Sequence, residues 1–185
     1  MSYVSPDPAF DGEAIARGDI DLDVGTLAKA ISWVEDGGKL PDTFLDAGKA
    51  KSQTIGITGS PGVGKSTLTS ALVKAIRKAG ELVAVLAVDP SSPITGGALL
   101  GDRIRMQEHY LDAGVYIRSM GSRGHLGGLA AATPQAIALV ANAGFTEIIV
   151  ETVGVGQSEV EIMKYVDTVI VLLAPGMGDG IQAAK

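Results

Sequence analysis

Gly59-Ser60-Pro61-Gly62-Val63-Gly64-Lys65-Ser66 matches the spacing G-x-x-x-x-G-K-[ST] in full. It follows an apolar run, Thr54–Thr58, that reads as a buried strand, and it opens a helical pattern over about 65–79. That strand-loop-helix setting is what the motif requires if it is to hold phosphate. The glycines let successive N–H groups turn inward, and the helix N-terminus adds partial positive charge, so the loop can wrap an anionic chain. In this geometry Gly59, Pro61, Gly62, Val63 and Gly64 form the cradle, and Lys65 reaches the β- and γ-phosphates. Ser66 places its hydroxyl on Mg²⁺, and Thr67 lies near the α-phosphate.

Outward from the loop, apolar strands alternate with helices. Leu82–Val88, Val115–Ser119, Glu147–Glu151 and Thr168–Leu173 read as strands, and helices are expected at about 101–112, 132–143 and 157–166. Strands that are apolar along their whole length, with helical crossovers between them, predict a doubly wound, mostly parallel α/β sheet covered on both faces. Residues 1–50 differ. Asp, Gly and Pro break them up, with one helix expected around Gly25–Glu35 and a second over Pro41–Ala47. Two short helices could hardly bury a core alone, so 1–50 reads as a small helical extension packed on a nucleotide-binding domain over 51–185.

Composition narrows the function classes. The formal charge is −6, which argues against nucleic acid as a partner, because phosphate-backbone affinity comes from clustered Lys and Arg. There are no cysteines, which excludes disulfides and thiolate metal sites and suits a reducing cytoplasm. No apolar run approaches the roughly 20 residues of a membrane-spanning helix. Residues 1–13 are acidic and proline-broken, unlike a signal peptide, so a cytoplasmic location without membrane contact is expected. The 25 glycines cluster in loops and form no low-complexity tract.

In open α/β sheets ligands sit beyond the carboxyl ends of the strands, and three acids mark that edge. Asp89 ends the second strand, with Pro90 behind it; Asp102 opens the helix after the Ser-, Pro- and Gly-rich segment 91–100. Two acids near one Mg²⁺ are plausible there, although Asp89 could equally cap a turn and Asp102 a helix. Glu151 ends another buried strand and is followed by Thr152-Val153-Gly154. It can orient Mg²⁺ while the Gly154 N–H faces the γ-phosphate, so that loss of the phosphate frees the loop. Lys65, Asp89 and Glu151 are thus the candidate catalytic set. Val155, not glutamine, follows Gly154, and slow intrinsic hydrolysis is expected; His109, His125 and Trp33 read as surface or packing residues.

Several further segments carry a resemblance. Val88-Asp89-Pro90-Ser91-Ser92-Pro93, Gly101-Asp102-Arg103, Gly124-His125-Leu126-Gly127-Gly128 and Glu151-Thr152-Val153-Gly154-Val155-Gly156-Gln157-Ser158-Glu159 resemble the MeaB/ArgK-type metallochaperone GTPases from about residue 51 onward. The resemblance implies GTP and GDP as ligands and Mg²⁺ held by Ser66 with Asp89, Asp102 and Glu151. It also implies an adenosylcobalamin-dependent acyl-CoA mutase, such as methylmalonyl-CoA mutase, as the partner that is protected and supplied with cofactor. Gly176–Lys185 resembles the family's third switch loop, in which Asp179, Gln182 and Lys185 would couple nucleotide state to the mutase. The sequence ends at Lys185, before the family's N-K-x-D segment that reads guanine and before its dimerisation helices. It therefore reads as truncated there, with guanine specificity resting on kinship and the parent protein expected to be a homodimer.

Three other readings share the loop. A small-molecule kinase would carry an arginine-rich lid, and Arg103, Arg105, Arg118 and Arg123 are too scattered to make one. A non-hydrolysing docking module would tolerate loss of the acids, yet Lys65, Ser66, Asp89 and Glu151 are all present. A ParA/MinD-like ATPase would need a lysine near the start of the loop, where Ser60 stands.

Overall fold

The computed structural model describes residues 11–93, 109, 111–122, 128–152 and 157–173. Five parallel strands form one sheet in the order β3-β2-β4-β1-β5: β1 (Gln53–Gly59), β2 (Val83–Pro93), β3 (Val115–Ser122), β4 (Glu147–Thr152) and β5 (Thr168–Leu172). The helices are α1 (Gly12–Arg17), α2 (Val24–Glu35), α3 (Asp42–Lys49), α4 (Lys65–Lys78), α5 (Gly128–Asn142) and α6 (Gln157–Ile162), the last continued by a 3₁₀ turn at Met163–Tyr165. This is the doubly wound α/β architecture that the alternation of elements predicts.

Chain direction decides which face each helix covers. From β1 the chain crosses over β4 to reach β2, and from β4 it crosses over β1 to reach β5, in the opposite sense. Right-handed crossovers running in opposite senses must place α4 on one face and α6 on the other. The core divides accordingly. Ile57, Val83, Val85 and Ile149 pack with Val73 of α4, and Leu68, Leu72 and Ile76 complete that helix's apolar stripe. Alternate strand residues, among them Leu86, Val88, Met120, Ile148 and Val150, enter a larger cluster with α5 and Ile162.

That larger cluster also contains Ile15, Leu27, Ile31, Trp33, Val34, Leu40 and Phe44, so α1, α2 and α3 share a core with the sheet. Leu40 N–H donates to Gln135 Oε1 on α5 at 2.8 Å, and Gly48 of α3 lies against Ala138. Trp33 is a packing residue, buried beside Gly12 and Gly38.

The larger departures from expectation lie at α1, β2, β3 and α5. Helix α1 is new: Asp11 caps it through Glu13 N–H at 3.1 Å, and Gly18 ends it at φ 80°. β2 runs on through Pro90 to Pro93, because the chain stays extended after Asp89 although its pairing with β3 jumps from Asp89↔Gly121 to Pro93↔Ser122. A proline offers no ladder N–H, so regular pairing cannot continue through it. β3 extends to Ser122 because Met120 and Gly121 still have partners in Val88 and Asp89. α5 starts at Gly128, upstream of the expected 132, and holds Pro134 in its interior. The helix expected at 101–112 lies almost wholly outside the described residues.

Candidate nucleotide site

β1 delivers the loop to the carboxyl edge of the sheet, where its neighbours are β4 and β5. Gly59 takes φ 146°, with its backbone tight against the Leu172 carbonyl of β5, so a side chain there would collide with main chain. Gly64 is the N-cap of α4 at φ 102°, a left-handed conformation that other residues adopt only with strain. It has no side chain to occupy the first-turn amides of α4, which leaves them to an anion. Val63 N–H closes a turn on the Ser60 carbonyl at 3.3 Å.

Lys65 is buried, and its ammonium donates to the carbonyls of Gly59 at 2.7 Å and Ser60 at 3.1 Å. The charge therefore lies across the mouth of the loop, held by main-chain dipoles. One turn along α4, Ser66 and Thr69 stand three residues apart on one helix face and both meet the same acid. Ser66 Oγ donates to Glu151 Oε1 at 2.8 Å and Thr69 Oγ1 to Glu151 Oε2 at 2.7 Å. Glu151 is 2% exposed at the tip of β4.

Asp89 lies on the adjoining strand, two positions beyond Ala87, the register partner of Glu151. Strand alternation puts Asp89 on the face that Val83 and Val85 present to α4, as it puts Glu151 there with Ile149. Both acids are buried at the same edge. The arrangement brings together Gly59, Pro61, Gly62, Val63, Gly64, Lys65, Ser66, Thr67, Asp89 and Glu151. Asp102, Gly154, Asp179, Gln182 and Lys185 lie outside the described residues.

Thr69 was missed by the motif reading, although its place three residues beyond Ser66 was a usable signal. His109, also buried, has Nε2 3.0 Å from Ser70 Oγ on α4. Arg77, near the end of α4, makes a two-pronged ion pair with Asp112, Nε to Oδ2 and Nη2 to Oδ1 at 2.9 Å each. Those hydrogen bonds hold the Asp112 carboxyl below its ordinary range. The chain entering β3 is thereby tied to the helix that begins at Lys65. A concavity of ≈ 750 Å³ between α1, α3 and the end of α5 includes none of the loop residues.

The donor set suits a hard cation with a phosphate chain. A hydroxyl and carboxylates are the oxygen ligands Mg²⁺ takes, and in nucleotide sites it rests on one or two of them plus substrate phosphates. Among the described residues no three His, Cys, Asp or Glu side chains converge as an all-protein cage. The left-handed turns at the loop leave space for an anion as well, since a Cβ added at Gly62 or Gly64 would meet nothing within 4 Å.

A parallel α/β sheet with a phosphate loop at the end of β1, and an acid from the adjacent strand on its Ser, defines a P-loop NTPase. The family model for the methylmalonyl Co-A mutase-associated GTPase MeaB matches residues 27–185. The chain belongs to that family. It is 60% identical over 131 residues to a protein of Pyrococcus abyssi named as a GTPase, covering 71% of this chain and 40% of that one. It is 42% identical over 167 residues to the GTPase ArgK of Escherichia coli, covering 86% and 50%. A crystal structure titled as a LAO/AO transport system kinase superposes with a TM-score of 0.57 at 30% identity, over 88% of this chain and 51% of that one. The chain thus spans about half or less of the length of these relatives.

Proposed function

We propose that this chain binds GTP with Mg²⁺ and hydrolyses it, and that the hydrolysis serves an adenosylcobalamin-dependent acyl-CoA mutase, gating cofactor delivery and protecting the enzyme. One observation carries the site reading: the hydroxyl of Ser66, the last residue of the loop motif, lies 2.8 Å from the carboxylate at the tip of β4. The family assignment supports the guanine nucleotide and the mutase.

The work of the protein groups follows from their placement. The loop amides and the N-terminus of α4 hold the phosphate chain. The Lys65 ammonium, now on two carbonyls of its own loop, turns to the β- and γ-phosphate oxygens and offsets their charge. Ser66, Asp89 and Glu151 would hold Mg²⁺, with Asp102 added by the family pattern. When bound, Mg²⁺ neutralises charge on the β- and γ-oxygens as it builds toward the transition state. Thr69 keeps the Glu151 carboxylate aimed at Ser66. Gly154 is assigned to the γ-phosphate, and Asp179, Gln182 and Lys185 to coupling with the mutase.

The test is multiple-turnover phosphate release from GTP and Mg²⁺, with and without an adenosylcobalamin-dependent acyl-CoA mutase, using a chain extended to the length of its relatives. A slow basal rate that the mutase raises is expected. Release of phosphate that no acyl-CoA mutase stimulates would remove the partner from the reading. Lys65→Ala should lose triphosphate binding by about 100-fold or more, the worth of roughly 3 kcal/mol in charge-assisted hydrogen bonds. Micromolar affinity retained by that variant in calorimetry would overturn the cradle.

A further inference from the structure

On the sheet face away from α4, a polar network ties α2 to β3. Ser32 and Glu35 stand three residues apart on α2 and both reach β3. Arg118 Nη2 donates to Ser32 Oγ at 2.8 Å and to Glu35 Oε2 at 3.0 Å. Glu35 Oε1 accepts from the main-chain N–H of Gly121 at 3.3 Å. The Glu35 side chain is 1% exposed and that of Arg118 22%.

Gly121 is the residue that β3 sets opposite Asp89, and the register between β2 and β3 shifts directly afterwards. A single carboxylate on an N-terminal helix therefore grips the last regular rung of the sheet before the nucleotide edge. A carboxylate buried and paired in this way is a poor device for stability alone, because well-packed apolar residues commonly do as well. Its geometric consequence is specific. The acid reaches through to main chain at the strand tip, where two apolar residues could fix no N–H.

We propose that Glu35 is a positioning residue for the nucleotide site: through Arg118 and the Gly121 amide it fixes the tip of β3, and with it the Asp89 carboxylate on the neighbouring strand. The N-terminal helices then set the acid edge from the opposite face of the sheet. This rests on the reading of Asp89 as an acid serving Mg²⁺.

The experiment titrates Mg²⁺ into the protein with a fluorescent GTP analogue, for wild type, Glu35→Gln and the double variant Glu35→Leu/Arg118→Met, which leaves no acceptor for the Gly121 N–H. In Glu35→Gln the half-saturating Mg²⁺ should rise at least about fivefold, the lower end of ordinary coupling between sites. Analogue affinity in EDTA should stay unchanged, and the Gly121 amide should exchange hydrogen faster. The double variant removes the guanidinium left without its acid, so thermal stability should recover while the Mg²⁺ shift persists. If the shift disappears as stability recovers, or the Glu35→Gln titration overlays wild type, Glu35 is a structural staple only and the proposal falls. A wild-type protein that binds the analogue with no Mg²⁺ dependence sinks the reading of Asp89, and this inference with it.

Discussion

Glu151 shows how one residue joins sequence to site. Its two oxygens are taken by two hydroxyls of α4, and burial makes each of those bonds expensive to lose. Thr69→Val keeps the shape of the side chain and removes the donor, leaving Glu151 Oε2 without its α4 partner in a site shielded from water. The expected cost is about 1–3 kcal/mol in global stability, read as a lower denaturant midpoint, together with weaker Mg²⁺-dependent nucleotide binding. Thr69→Ser retains the hydroxyl and should restore most of both. Equal midpoints for Val and wild type would show that the hydroxyl contributes nothing beyond its packing.

At the scale of elements, the N-terminal helices are held by close approach as well as by apolar burial. Gly48 of α3 sits so near α5 that a Cβ there would come within 2.8 Å of the Ala138 Cα. Main chain cannot yield as a flexible side chain does, so Gly48→Ala should lever α3 away from α5. A loss of roughly 1–3 kcal/mol is expected, with faster hydrogen exchange through α3 and little change at the loop of Lys65. The reading of the sequence had different success at different elements for physical reasons. β1, β4 and α4 were legible because an uninterrupted apolar strand and an amphipathic helix each announce their period, and the loop between them is fixed by its own spacing. Thr69, Glu35 and Arg118 were not, since their meaning lies in partners far along the chain, Glu151 for the first and each other for the last two. α1 is short enough that its period carries little signal, although Asp11 and Gly18 stand at the two ends as a cap and a stop. The run of β2 past Pro90 was hidden by a residue that normally ends pairing; here the backbone stays extended while the ladder shifts.

Across the whole molecule the large cluster joins α1, α2, α3 and α5 to the sheet, and Tyr116 of β3 is a titratable group buried within it. Its ring lies 5.7 Å from that of Phe145 and is 6% exposed. Among the described residues its hydroxyl has no hydrogen-bond partner. Burial raises its pKa from 10.0 to about 12; nearby Arg118 opposes the shift and Glu35 adds to it. The folded state thus keeps the proton that the unfolded chain gives up. A raised pKa contributes stability that is intact below the unfolded value and is lost as pH rises toward the folded one, here between 10.0 and about 12. The loss between those two pH values is on the order of 2–3 kcal/mol. Tyr116→Phe keeps the ring in the cluster and removes the ionisation. Thermal melts followed by circular dichroism from pH 9 to 12 should therefore fall more steeply for wild type than for Tyr116→Phe, even though lysines and exposed tyrosines titrate in both. Two curves that run parallel over that range would mean that Tyr116 ionises as freely in the folded protein as in the unfolded chain, and that water reaches the middle of this cluster.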